Sequence, residues 1–152
     1  MSMKKLTQIF LCFILFTSYA NALEFQLFHP CEKKIQIKSE ILLIESENAL
    51  NITLQQLKAH KIPHVTMAGG IKSIFELSED KNLQIIDGKN FIAYGWCYSV
   101  NGQFPEIMPD QYMVVNTDVI TWFLGSSHYR DGQWVTYCQP VHESENNFYC
   151  KE

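Results

Sequence analysis

Tyr94-Gly95-Trp96-Cys97-Tyr98-Ser99-Val100-Asn101-Gly102 is an aromatic, β-favouring run that ends in a turn signal. Aromatic and β-branched side chains suit a pleated, half-buried surface. Strand alternation sets Trp96, Tyr98 and Val100 on one face and Gly95, Cys97 and Ser99 on the other. Asn101-Gly102 supplies two residues that tolerate positive φ, which predicts a hairpin turn. The hairpin is expected to continue past Pro105 and Pro109 into Tyr112-Met113-Val114-Val115. A second strand, Val119 to Leu124, carries Trp122. Asp131-Gly132 is another strong turn signal, folding Gln133 to Cys138 back onto the run from Trp122 to Tyr129. A two-residue turn there sets Tyr129 opposite Trp134.

Outward from this stretch, the N-terminal half also reads as strands with one helix. Leu23, Phe25 and Leu27 alternate with Glu24, Gln26 and Phe28, and Ile35 and Ile37 alternate with Lys34, Gln36 and Lys38. That pattern predicts a hairpin or two staggered strands. A helix is predicted from about Asn51 to His60, with Asn51 as its N-cap and Leu50, Leu54 and Leu57 on its buried stripe. Pro63 marks the stop, because the residue before a proline disfavours helix. His64 to Met67 and Ile71 to Leu77 are short strand candidates around Gly69-Gly70, and the polar stretch Ser78 to Asn90 reads as a loop.

Residues Met1 to Ala22 have the three parts of a secretory signal. Lys4 and Lys5 form the basic end, Leu6 to Phe16 the apolar core, and Ala20-Asn21-Ala22 the small-x-small cleavage pattern. The apolar run is shorter than the roughly 20 residues needed to span a bilayer. The expectation is an exported chain, periplasmic or secreted, with one domain over residues 23–152 and no membrane insertion after cleavage. The whole chain carries a formal charge of −4, and losing Lys4 and Lys5 makes it more acidic. An acidic domain is a poor partner for nucleic acid or anionic membranes.

Cleavage also removes Cys12 and leaves Cys31, Cys97, Cys138 and Cys150. An even cysteine count in an exported domain implies two disulfides, with three ways to connect them. Cys97–Cys138 is the expected first pair, because it ties the end of the last hairpin to the central strand. Cys31–Cys150 then follows. There is neither a C-x-x-C pair nor a Cys-His finger spacing, so no metal site is expected. Pro63 separates His60 from His64 and removes them from a shared helical face.

The order strand, strand, helix, strands is that of an α+β chain of β-grasp type, a mixed sheet packed on a single helix, here with an extra C-terminal β-hairpin. Four stretches also resemble one family. Asn51-Ile52-Thr53-Leu54-Gln55-Gln56-Leu57 is similar to the start of its helix, and Gly70-Ile71-Lys72-Ser73-Ile74 to its next strand. Gly95-Trp96-Cys97-Tyr98-Ser99-Val100-Asn101-Gly102 is similar to its aromatic strand and turn. Thr117-Asp118-Val119-Ile120-Thr121-Trp122 is similar to its closing strand, with Thr117 where the family usually has glycine. Together they resemble the transcobalamin C-terminal-like β-grasp domain over about residues 41–124. The resemblance implies a small exported binding or adhesion-type module. In vitamin carriers of this family the domain closes over cobalamin against a large helical domain, so cobalamin is implied by resemblance only. The residues themselves point to no cofactor.

Aromatic residues make up 13% of the chain and gather towards its C-terminal half. Tyr and Trp combine an apolar body with a hydrogen-bonding tip, which suits ligand contact. The expected site is an aromatic face of Trp96, Tyr98, Trp122 and Tyr129, with His128 beside it as a source of pH sensitivity. The ligand is expected to be a small molecule or glycan. The alternative is a protein partner, as for an envelope-complex subunit or an enzyme inhibitor. Catalysis is not expected. Cys97 with His128 or His142, and Ser126 or Ser127 with His128, are the candidate pairs, and none stands in a nucleophile motif.

Overall fold

The computed structural model describes residues 21–32, 34–76 and 82–141. Residues 1–20 of the predicted signal, together with His142 and Cys150, lie outside the described residues. The elements run β1 (Leu23–His29), β2 (Lys34–Ile41), β3 (Glu47–Asn48), α1 (Ala49–Ala59), β4 (His64–Met67), β5 (Gly70–Ile74), β6 (Leu83–Asp87), β7 (Asn90–Val100), β8 (Met113–Val114), β9 (Val119–Arg130) and β10 (Gln133–Pro140). The main sheet has the order β2-β1-β9-β7-β6, and β10 pairs with the far half of β9. β1 and β9 are parallel, while β1–β2, β7–β9, β6–β7 and β9–β10 are antiparallel. The chain is thus α+β, a mixed sheet with one short helix among the described residues.

Alternation along β1 shows why the sheet forms here. Leu23, Phe25 and Leu27 are fully buried, while Glu24 and Gln26 face outward, where Glu24 meets Lys38 of β2 at 3.1 Å. The buried side of the sheet, with Ile37, Ile120 and Trp122, packs against Ala49, Ile52 and Leu57 of α1.

The helix begins earlier than the sequence predicts. Asn48, not Asn51, is the N-cap, and its side chain accepts from the Asn51 N–H at 2.8 Å. The predicted leucine stripe is displaced too. Ala49, Ile52, Thr53 and Leu57 are buried, whereas Leu50 and Leu54 are half-buried at the margin of the core. The stop falls where predicted, with Lys61 left-handed at φ 55° and Pro63 beyond it.

The Asn101-Gly102 turn forms, with φ of 53° and 74°. The hairpin does not. Only Val100 and Gln103 bridge across it, and the chain then leaves through Pro105 and Pro109 as a loop. Proline lacks the N–H that a ladder needs, so this segment cannot pair along β7. β7 pairs with β9 instead, in unbroken register from Asn90↔Arg130 to Val100↔Ile120. Asn101 helps fix that pairing. Its amide donates to Asp118 at 2.8 Å, and its oxygen accepts from the Val119 N–H at 2.9 Å, which anchors the start of β9. Leu83–Asp87, expected to lie in a loop, is the edge strand β6.

Asp131-Gly132 makes the predicted two-residue turn, and Tyr129 stands opposite Trp134. Cys97 and Cys138 form the predicted disulfide, with Cα atoms 5.9 Å apart. Cys31 is also disulfide-bonded.

Candidate functional site

The expected aromatic face is divided by strand parity. Successive residues of a strand point to opposite faces. The β7–β9 register has no bulge, so Trp96 and Tyr98 share a face with Trp122 and Leu124, while Tyr129 lies on the other side with Phe91. His128 is adjacent to Tyr129 and therefore faces away from it, with its Nε2 2.5 Å from Asn90 Oδ1. Tyr129 is therefore excluded from the surface expected around Trp96 and Tyr98, whereas His128 shares their face but lies four positions along β9 from Leu124, the partner of Trp96. Trp122 does not supply exposed area either. It is only 2% exposed and belongs to the core beside α1.

What the structure does assemble is a cleft of about 260 Å³ beside Trp96 and Tyr98. Its walls include Met67 at the end of β4 and Phe104, Ile107 and Met108 from the proline-bounded loop, and Trp122 contributes part of the floor. Tyr98 stacks on Trp122 with centroids 5.6 Å apart and donates its hydroxyl to the Ile107 carbonyl at 2.6 Å. That bond pins the loop over the strand. Burial pushes the Tyr98 hydroxyl up to about 12, helped by Tyr112 and Asp110 nearby. Gly70 allows the loop to come close, since a Cβ there would lie 3.3 Å from the Met108 methyl carbon.

The cleft opens along an unpaired part of the β7 edge. Tyr94 donates its backbone N–H to the Asn82 carbonyl, and Val100 donates to Gln103, both away from β9. Trp96 and Tyr98 lie between them with the same parity, so their backbone groups point the same way. On this side β6 reaches only to Ala93, and no strand among the described residues pairs with Gly95 to Ser99 on the edge away from β9.

Sequence reasoning missed Met67, Phe104, Ile107 and Met108. The signal that was present is the density of large apolar residues in a loop held between Pro105 and Pro109. It also missed Gly125. The disulfide crosses directly over this glycine, and a Cβ there would lie 2.6 Å from Cys97 Sγ and 3.1 Å from Cys138 Cα.

Of the groups considered for catalysis, Cys97, Ser126, Ser127 and His128 are engaged in other contacts. Cys97 is in the disulfide and offers no thiol. Ser127 Oγ accepts from the Cys138 N–H at 3.1 Å, and Ser126 Oγ donates to the Gln139 carbonyl at 3.4 Å. Among the described residues no three His, Cys, Asp or Glu side chains gather as metal ligands. No described helix is long and apolar enough to cross a membrane.

Comparison with known proteins adds a family and one distant structure. No curated protein matches the chain. A solved structure of a candidate metal binding protein from Ruminococcus gnavus is similar with a TM-score of 0.45 and 15% identity, covering 68% of this chain and 95% of that one. The vitamin-carrier resemblance finds no counterpart in these matches. The family model that matches, over residues 50–126, runs from the helix through Trp96, Tyr98 and the proline-bounded loop into β9. The chain belongs to the family described as Domain of unknown function (DUF4430).

Proposed function

We propose that this chain is an exported, non-catalytic binding module that takes a small, apolar-bodied ligand in the cleft beside Trp96 and Tyr98. One observation carries the reading. Met67, Phe104, Ile107 and Met108 remain 41–53% exposed although all four border the same concavity. Large apolar side chains gathered around one opening mark interaction sites, and methionine adapts to irregular ligand shapes. The volume, about 260 Å³, lies just below the roughly 300–1,000 Å³ of ligand pockets, so the ligand is small or only partly enclosed.

Export is supported by the three-part signal in residues 1–22 and by a disulfide of the kind that persists in oxidising compartments. The first strand begins at Leu23, the first residue after the predicted cut, which supports residues 23–152 as the folded domain. The order β2-β1-β9-β7 with its parallel central pair, and a helix on one face, supports a β-grasp assignment. Cys31–Cys150 remains the proposed second bridge.

A second reading, favoured by the outward-facing backbone of Trp96 and Tyr98, is that a partner peptide adds a strand to β7. Native mass spectrometry of the protein recovered from the exported fraction of its host separates the two. A bound small molecule that is lost in Met67→Ala/Met108→Ala supports the cleft. A bound peptide supports strand addition. Recovery of unliganded protein only, or equal ligand retention by the variant, rejects the cleft reading.

A further inference from the structure

The opposite face of the sheet carries a second aromatic surface. Residues Ile85, Phe91, Tyr129 and Trp134 are successive register partners across β6, β7, β9 and β10, so they form one row. Phe91 stacks on Tyr129 with centroids 4.8 Å apart and planes at 18°. Trp134 meets both rings edge-on, at 5.7 and 5.3 Å. A bulge at Val135 shifts the β10 register, so Thr136 rather than Val135 faces His128. That extra residue brings Tyr137 onto the same face as Trp134, their centroids 5.9 Å apart. The outer members are open to solvent, with Trp134 39% and Tyr137 60% exposed.

A polar notch adjoins the row. The tips of the β6–β7 and β9–β10 hairpins are tied by the Asp131 N–H donating to the Lys89 carbonyl at 3.0 Å. Between them Lys89, Tyr129, Asp131 and Gly132 border a concavity of about 380 Å³. Gly132 is required by the turn, since its φ of +91° disfavours any side chain there. Neither the Lys89 ammonium nor the Asp131 carboxylate is in an ion pair among the described residues.

We infer that this end of the sheet is a glycan-binding site, distinct from the cleft, that stacks pyranose rings on Trp134 and Tyr137 and holds their hydroxyls with Lys89, Asp131 and Tyr129. The chemistry selects the occupant. The axial C–H bonds of a pyranose carry slight positive charge, and the face of an aromatic ring is negative. Sugar hydroxyls both donate and accept, which matches one ammonium, one carboxylate and one phenol at the rim. A carboxylate beside an ammonium gives no net attraction for a charged ligand, so a neutral polyhydroxyl chain fits best. The row is too small for a stable protein partner, which needs about 20–30 residues on each side.

The test is titration of the purified protein with cellohexaose, chitohexaose and xylohexaose, followed by calorimetry and tryptophan fluorescence. At least one hexasaccharide is expected to bind. Trp134→Ala should weaken that binding about tenfold or more, and Asp131→Asn or Lys89→Met about three- to tenfold. Asparagine also tolerates the left-handed backbone at 131, so Asp131→Asn reports on the carboxylate rather than the turn. Unchanged melting temperatures would show that the variants remain folded. Failure of all three sugars to bind overturns the proposal, as does binding that survives both Trp134→Ala and Tyr137→Ala. Loss of sugar binding in Met67→Ala/Met108→Ala would place the sugar in the cleft and also overturn it. So would sedimentation showing a dimer that Trp134→Ala dissociates, since the face would then be occupied by a second copy.

Discussion

The Trp122 indole N–H donates to the Thr53 hydroxyl at 2.7 Å, joining the central strand to the helix across 69 residues of sequence. Thr53 in turn donates to the Ala49 carbonyl at 2.7 Å. Both side chains are buried, and the hydroxyl serves as acceptor and donor at once. Thr53→Val keeps the shape but leaves the indole N–H without a partner. It is expected to destabilise by about 1–3 kcal/mol, read from urea unfolding midpoints. A Trp122→Phe/Thr53→Val double variant should then lose less than the two single changes combined, because no buried donor is left unpaired.

Leu57 and Leu54 separate the observed helix face from the predicted one. Leu57 is fully buried, and Leu54 lies half-buried at the core margin. Leu57→Ala should cost about 2–5 kcal/mol by the same measurement. Leu54→Ala should cost clearly less. Equal losses would mean that the helix is rotated from its place here.

Gly125 and the Cys97–Cys138 bridge form one unit, since the sulfur passes 2.6 Å from where a Cβ would sit. Gly125→Ala is expected to destabilise by about 1–3 kcal/mol through overpacking. The bridge itself should contribute about 2–4 kcal/mol, seen as the loss in Cys97→Ala/Cys138→Ala. In that background the Gly125→Ala penalty should shrink, because the colliding sulfur is gone. A non-reducing peptide map checks the pairing, and it tests Cys31–Cys150 at the same time.

Tyr98 links the cleft to alkaline pH. Its hydroxyl is pushed up to about 12, from 10.0, first by burial and then by Tyr112 and Asp110. The folded protein therefore holds the proton more tightly than the unfolded chain does. This contribution to stability is complete below about pH 10 and is lost as pH rises through about 12. Ionisation also removes the proton donated to the Ile107 carbonyl, so the loop over the cleft should loosen in the same window. An ultraviolet absorbance titration of wild type against Tyr98→Phe should show one late-titrating tyrosine missing in the variant. If no tyrosine titrates late in the wild type, the hydroxyl is not held as described.

Much of the local structure was legible because it follows from local chemistry. Alternation marked β1, β7 and the start of β9, and Asn101-Gly102 and Asp131-Gly132 marked turns because both pairs accept positive φ. The helix stop at Pro63 and the pairing of Cys97 with Cys138 were likewise readable. β6 was not, since Leu83, Ile85 and Ile86 are all exposed and a strand at the edge need not alternate. The leucines at 50 and 54 misled because helical spacing shows a stripe but not its centre, which Ile52 and Thr53 take by packing under Trp122.

The site depended on what no local pattern contains. Trp122 and Tyr129 sit on one strand, yet the parity of their spacing sends one into the core and the other to the opposite face. Whether a given face is buried is decided by where the helix lands, and that is set by pairing between distant strands. The cleft arises because the prolines at 105 and 109 keep the loop out of the sheet while Tyr98 holds it against the strand. By itself the sequence determined which residues favour strand, turn or helix, since those preferences belong to single residues and their neighbours. Only the tertiary structure decided which aromatic rings are core and which are surface, because that follows from register across β7, β9 and β10.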